Sequence, residues 1–103
     1  MISKISLGTV QFGLEYGVAN QEGKPSYQKA EDIVTYARSL GIHSIDTASV
    51  YGNSESVLGK IGVSDFNITT KIPLIPNNIE NIEVFIENIL KESLLNLKVK
   101  KID

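Results

Sequence analysis

The stretch Leu40-Gly41-Ile42-His43-Ser44-Ile45-Asp46-Thr47 decides the fold. Gly41 closes an amphipathic helix as the residue past its C-cap, and Ile42 to Thr47 read as a strand entered directly from it. A helix that delivers the chain straight into a strand is half of a βαβ unit, and the flanking sequence supplies the rest. Upstream, Ala30, Ile33, Val34, Ala37 and Leu40 recur at helical spacing behind Ser26, which stands at an N-cap position after Pro25. Further back, Ile5 to Phe12 has apolar residues at 5, 7, 10 and 12 and reads as a first strand that loses regularity at Gly8. A turn-rich loop with Gly13, Gly17, Asn20, Gly23 and Pro25 joins the two, and loops of that length tend to be functional.

Downstream, Ser54 is spaced to cap a short helix through Val57, Leu58 and Ile61, ended by Gly62. Phe66 to Ile72 is a third strand, rich in β-branched residues and stopped by Pro73. Asn77 and Glu80 have the spacing of an N-cap and its N3 partner for a helix of about 20 residues. That helix carries Ile79, Ile82, Ile86, Ile89, Leu90 and Leu97 on a stripe expected to face the sheet. Val99 to Asp103 opens a fourth strand, and the chain looks cut off there. The order βαβαβαβ implies parallel strands with right-handed crossovers. Two architectures have that pattern, an open doubly wound sheet and the first part of a (β/α)8 barrel.

Composition narrows the function classes. At 103 residues the chain has room for one small domain, and 42% hydrophobic with 21% charged residues excludes a disordered or low-complexity segment. Ten Lys and Arg against twelve Asp and Glu leave a net charge of -2, which argues against a non-specific nucleic-acid grip. The absence of cysteine removes disulfides, thiolate nucleophiles and cysteine-based zinc sites. No apolar run approaches the roughly 18 residues of a membrane span. No apolar signal-peptide core follows Met1-Ile2-Ser3-Lys4, so a soluble, cytoplasmic protein is expected.

The glycines after the first strand, Gly8, Gly13 and Gly17, do not fit the dinucleotide-binding G-x-G-x-x-G spacing and read as loop punctuation. Strand parity is more informative. In the third strand Lys71 lies at the C-terminal end on the face shared with Asn67 and Thr69, and in the second Asp46 ends the strand on the face of Ser44. Ligands of parallel α/β proteins bind at such carboxyl ends. The loop beyond Asp46 delivers Tyr51. Singly, each residue is most simply a cap, a solvated charge or a surface aromatic. Together they form a proton-transfer set: a phenol is a poor acid at neutral pH, an ammonium beside it favours phenolate, and a carboxylate keeps that ammonium charged. Such a set suits protonation of a carbonyl oxygen as hydride arrives. His43 starts the second strand, at the wrong end, and reads as structural.

Four groups of residues carry a family resemblance. Leu7-Gly8-Thr9-Val10-Gln11-Phe12-Gly13, Ile45-Asp46-Thr47-Ala48 with Tyr51-Gly52-Asn53-Ser54-Glu55, Leu58-Gly59, and Thr69-Thr70-Lys71 resemble the aldo-keto reductases, in family order and spacing. Tyr16-Gly17-Val18-Ala19-Asn20 is similar to the bacterial branch found among capsule and coat polysaccharide proteins. The resemblance implies an α/β fold, a TIM-barrel of the (β/α)8 type. Residues 1–103 would form the amino-terminal portion of that single domain, three βα units plus the start of strand four. It also implies NADPH or NADH as cofactor and reduction of a small-molecule aldehyde or ketone. Asp46, Tyr51 and Lys71 match three of the family's catalytic tetrad, with Tyr51 as proton donor. Gly8 and Thr9 match positions beside the nicotinamide, which Asp46 also borders, and Gln11 and Phe12 match the substrate side. The tetrad's histidine would follow Ile102-Asp103. The alternative is a non-catalytic barrel fragment that serves as a folding or assembly unit, and a piece of this length is expected to self-associate and to be inactive alone. A short-chain dehydrogenase is excluded, because no tyrosine is followed by lysine four residues on: Glu31, Leu40 and Glu55 follow Tyr27, Tyr36 and Tyr51.

Overall fold

The structure is a computed structural model that describes residues 4–15, 17 and 23–103. Tyr16, Val18, Ala19 and Asn20, named above, lie outside the described residues. The elements run β1 (Ser6–Gly8), α1 (Val10–Gly13), α2 (Tyr27–Ser39), β2 (Ser44–Asp46), α3 (Ser54–Ile61), β3 (Asn67–Thr69) and α4 (Ile82–Leu97). The three strands form one parallel sheet in the order β1-β2-β3, as expected of strands joined by single helical crossovers. Leu7, Ile45 and Ile68 stand side by side in register, and so do Gly8, Asp46 and Thr69 one step on.

That register divides the sheet into two unlike faces. The Leu7–Ile45–Ile68 row packs under the helices, in a core with Phe12, Ala30, Val34, Leu58, Val63, Phe66 and Leu97. Burying an aliphatic or aromatic side chain there is worth about 1.5–3 kcal/mol, so this face holds the layers together. The other face presents Ser6, Gly8, Ser44, Asp46, Asn67 and Thr69, all exposed or half-buried. A sheet with helices on one side and a small, polar surface on the other is an arc of barrel wall.

The helix from Tyr27 begins as its sequence predicts: the Ser26 hydroxyl accepts from the Lys29 amide at 3.2 Å, and Gly41 takes a φ of +82° past the last turn. Three expectations need correction. Val10 to Phe12 do not continue the first strand, because Thr9 turns the chain out of the sheet. Its amide (3.1 Å) and its hydroxyl (3.0 Å) both donate to the Asp46 carbonyl, and the next residues close a helical turn that drives Phe12 into the core. Ser54 is not the cap of α3: Asn53 holds that position, its side-chain oxygen accepting from the Lys24 ammonium and not from a helix amide, and Ser54 is the first helical residue, turned inward. The long helix starts at Ile82, where the Asn81 side chain accepts from the Val84 amide at 3.1 Å. Asn77 and Glu80 precede it in a turn closed by Ile79 on Pro76.

Of the stripe on α4, Leu97 is buried and Ile86 and Ile89 are half-buried, whereas Ile82 and Leu90 remain exposed. The helix docks through its C-terminal half. A Cβ on Gly59 of α3 would stand 1.9 Å from the Asn96 carbonyl oxygen, so only glycine permits this crossing. Val99 to Asp103 forms no assigned strand but runs alongside β3, with the Asp103 amide donating to the Ile68 carbonyl at 2.9 Å. Among the described residues, no helix is long and apolar enough to cross a membrane.

Candidate active site

The C-terminal ends of β2 and β3 extend beyond the assigned ladder. The Thr47 amide donates to the Thr69 carbonyl (2.8 Å) and the Ser49 amide to that of Lys71 (3.1 Å), which keeps the two chains in step past Pro73's approach. This continued pairing brings Lys71 opposite the loop that follows Asp46. The Lys71 ammonium makes a short hydrogen-bonded ion pair with the Asp46 carboxylate, donates to the Thr47 carbonyl at 2.9 Å, and lies 3.4 Å from the Tyr51 hydroxyl. Its Nζ is also 5.1 Å from the centroid of the Tyr51 ring. The two strand-end residues, Asp46 and Lys71, and the loop tyrosine Tyr51 therefore meet at one point. His43 is exposed at the opposite end of β2.

The Asp46 carboxylate is the main cause of a raised Lys71 pKa; partial burial opposes it, and the Tyr51 hydroxyl adds to it. The lysine is thus held as an ammonium across the neutral range. Asp46 and Lys71 keep 45% and 47% of their side-chain surface exposed, and ion pairs that open to solvent add little stability. The pair is arranged around a charge that points outward, toward the phenol and the open face of the sheet.

Tyr51 is placed by backbone contact. The C-terminal end of α1 presses on the loop, so that a Cβ on Gly13 would lie 1.6 Å from the Tyr51 carbonyl oxygen. Gly52, at φ +54°, leans on the Gly13 carbonyl in return. Two glycines facing each other allow the β1 and β2 loops to touch, which any side chain would prevent.

The other predicted positions divide. Gly8 ends β1 beside Asp46, exposed, with nothing within 4 Å of where a Cβ would stand. Thr9 is 1% exposed and its hydroxyl is committed to the Asp46 carbonyl, so its side chain holds the end of β2. Phe12, expected on the substrate side, is a core residue; Gln11 is half-buried on the same turn. Sequence reasoning missed the supports. The Thr70 hydroxyl donates to the buried Glu55 carboxylate at 2.8 Å, the Ser49 hydroxyl donates to the Lys71 carbonyl at 2.8 Å, and Ser54 bonds both Thr9 and Thr47. Parity could have flagged Thr47, a polar residue on the helix-facing side of its strand. Among the described residues no group of three His, Cys, Asp or Glu side chains could hold a metal ion.

The family model for the aldo/keto reductase family matches residues 4–103. The chain belongs to the aldo/keto reductase family. Two solved structures of a Pseudomonas aeruginosa protein named as an aldo-keto reductase superpose on 95% of this chain, with TM-scores of 0.77 and 0.75 and identities of 31% and 29%. A thermostable aldo-keto reductase shares the fold at a TM-score of 0.63 and 23% identity. Uncharacterized oxidoreductases of Mycobacterium tuberculosis and Mycobacterium bovis are 44% identical over 62 residues, 57% of this chain and 18% of their own length. The chain spans 39% of the first Pseudomonas structure, so these aldo/keto reductase residues correspond to part of a barrel domain.

Proposed function

We propose that these residues form the Asp46–Tyr51–Lys71 part of an active site that reduces an aldehyde or ketone to an alcohol with NADPH or NADH. The observation that carries this reading is the convergence of the Lys71 ammonium on the Asp46 carboxylate and the Tyr51 hydroxyl at the open strand ends. The Tyr51 Oη donates its proton to the carbonyl oxygen of the substrate. The Lys71 ammonium offsets the negative charge left on the Tyr51 oxygen, and Asp46 keeps the ammonium charged and aimed. A reduced nicotinamide, when bound, supplies the hydride. The space above Gly8 suits a flat ring lying against the backbone, bordered by Asp46, while Thr9 contributes by fixing the end of β2. The family's histidine, which would follow Ile102-Asp103, is part of the same reading. A cytoplasmic location rests on composition, and a place among capsule or coat polysaccharide proteins rests on the resemblance around Tyr16 to Asn20.

Tyr51→Phe in the whole protein tests the proposal. Carbonyl reduction, followed as NADPH oxidation with 4-nitrobenzaldehyde, is expected to fall at least about 10²-fold, with cofactor affinity little changed. Turnover equal to that of the parent would remove Tyr51 from the role of acid.

A further inference from the structure

Directly beneath the Asp46–Lys71–Tyr51 cluster lie three hydroxyls, those of Thr9, Thr47 and Ser54, exposed by 1%, 0% and 0%. Each has one proton to give, and the acceptors fix the direction of giving. The Thr9 hydroxyl donates to the Asp46 carbonyl at 3.0 Å. The Ser54 hydroxyl, 3.1 Å from that of Thr9, donates to the Thr9 carbonyl at 2.9 Å. The Thr47 hydroxyl, 3.0 Å from Ser54 Oγ, then donates to Ser54. The result is two linked sets of bonds: Thr47 donates to Ser54 and Ser54 to the Thr9 backbone, while the Thr9 hydroxyl holds the backbone of Asp46.

Each member also holds one residue of the cluster by another atom. The Thr9 amide donates to the Asp46 carbonyl, the Thr47 carbonyl accepts the Lys71 ammonium, and the Ser54 amide donates to the Tyr51 carbonyl at 2.9 Å. The Ser54 side chain thus hydrogen-bonds with both threonine residues, and it sits three residues after the phenol. We propose that Ser54 is the positioning residue of this active site: its buried hydroxyl, held between Thr9 and Thr47, locks the Tyr51 loop to the ends of β1 and β2 so that phenol and ammonium meet. Apolar groups of the same shape would fill this volume without the cost of desolvating three hydroxyls, so packing alone does not require them. What the hydroxyls add is direction.

The inference deepens the carbonyl-reduction reading and rests on it for its kinetic arm only. Ser54→Ala removes the hub, Thr47→Val removes one hydroxyl isosterically, and Thr47→Ser retains it. In the whole protein, the Lys71 ammonium is titrated by NMR; it faces Asp46 on β2 and Tyr51 in the loop. Its midpoint is expected to move down toward the ordinary lysine value in Ser54→Ala and Thr47→Val, and to stay in Thr47→Ser. In the whole protein, with NADPH and 4-nitrobenzaldehyde, the first two variants are expected to lower kcat about 10- to 100-fold with KM within about twofold, the scale of a misplacement near 1 Å. An unmoved midpoint with unchanged kcat overturns the proposal, and so does an equal loss in Thr47→Ser, which would assign the effect to volume. Should Ser54→Ala fail to fold, the isosteric Thr47→Val decides. An inactive parent, or a Tyr51→Phe variant as active as the parent, would count against carbonyl reduction, while the lysine titration would still judge Ser54.

Discussion

Two ion pairs in this molecule show how the same chemistry serves different ends. Arg38 grips Asp65 with two guanidinium nitrogens at 2.7 and 3.1 Å, donates to the Gly62 carbonyl, and lies 5.1 Å over the Phe66 ring. Every partner is on the α3–β3 connection, so this pair is a clip between elements. Arg38 lowers the Asp65 pKa, and a depressed carboxylate contributes stability that is present above its unfolded pKa near 4 and is lost as pH falls through the folded value. Being half exposed, the clip is worth about 0–1 kcal/mol, and Asp65→Asn is expected to cost no more than that, with the difference vanishing in acid. Lys71 has the opposite sign. Its raised pKa contributes stability fully present below about pH 10.4, lost as pH rises through the folded value. Asp46→Asn is therefore expected to lower the Lys71 titration midpoint, and Tyr51→Phe to lower it less, since Asp46 is the larger cause. A midpoint that ignores Asp46→Asn would separate the two groups in solution. That Asp46 and Lys71 close neighbouring strands, with Tyr51 in the loop beyond Asp46, was legible in the sequence because parity, strand polarity and short spacings are local properties. Ser54 was misread for the same reason: a serine ahead of an apolar run is a local capping signal, and only the fold brings Thr9 and Thr47 to its hydroxyl.

At the scale of elements, order and type were legible while the ends were not. Helix α2 was bounded correctly because both its signals, Ser26 and Gly41, act within one turn. Strand β1 was drawn too long because Val10 and Phe12 resume a two-residue spacing after the break at Gly8, and the turn at Thr9 depends on a carbonyl 37 residues away. Helix α4 was started at Asn77 because Glu80 stands at the N3 spacing from it, a local pattern that the structure does not use. The corrected cap makes a sharp expectation for urea unfolding. Asn81→Ala should cost about 1 kcal/mol, the usual value of an N-cap, and Asn77→Ala only a small fraction of that. Equal losses would place the start of the helix at Asn77 after all. Gly59→Ala probes the other end of the same packing. The added methyl would overlap the Asn96 carbonyl, and the backbone there has no room to yield without parting α3 from α4.

The whole molecule is a barrel arc whose helical side is closed and whose strand side is open. Its radius of gyration is 14.4 Å, above the roughly 13 Å of a compact chain this long, and its extents of 44 × 30 × 24 Å are elongated. The barrel class was legible from the βαβ order and the motifs together, but which surfaces stay uncovered depends on how many strands close the sheet, and no local signal in these residues carries that. Among the described residues, β1 is a sheet edge, and α4 exposes Ile82, Val84, Leu90 and Leu95 along most of its length. Leu95 is 77% exposed two residues from the buried Leu97, and Leu74, before the helix, is 95% exposed. Val84 and Leu95 share one side of the helix and Ile82 and Leu90 another; exposed apolar side chains of this kind favour contact with another chain, and an open strand edge adds unpaired backbone groups to the same tendency. The 103-residue chain is accordingly expected to self-associate. Light scattering should give a mass above 11.3 kDa that rises with concentration. Val84→Lys with Leu95→Lys should lower it, since each charge must be desolvated if the α4 face is buried between copies. A monomer at all concentrations would mean that the exposed apolar residues are too dispersed to act as one surface. A concentration-dependent mass that the lysines leave unchanged would move the contact from α4 to the β1 edge.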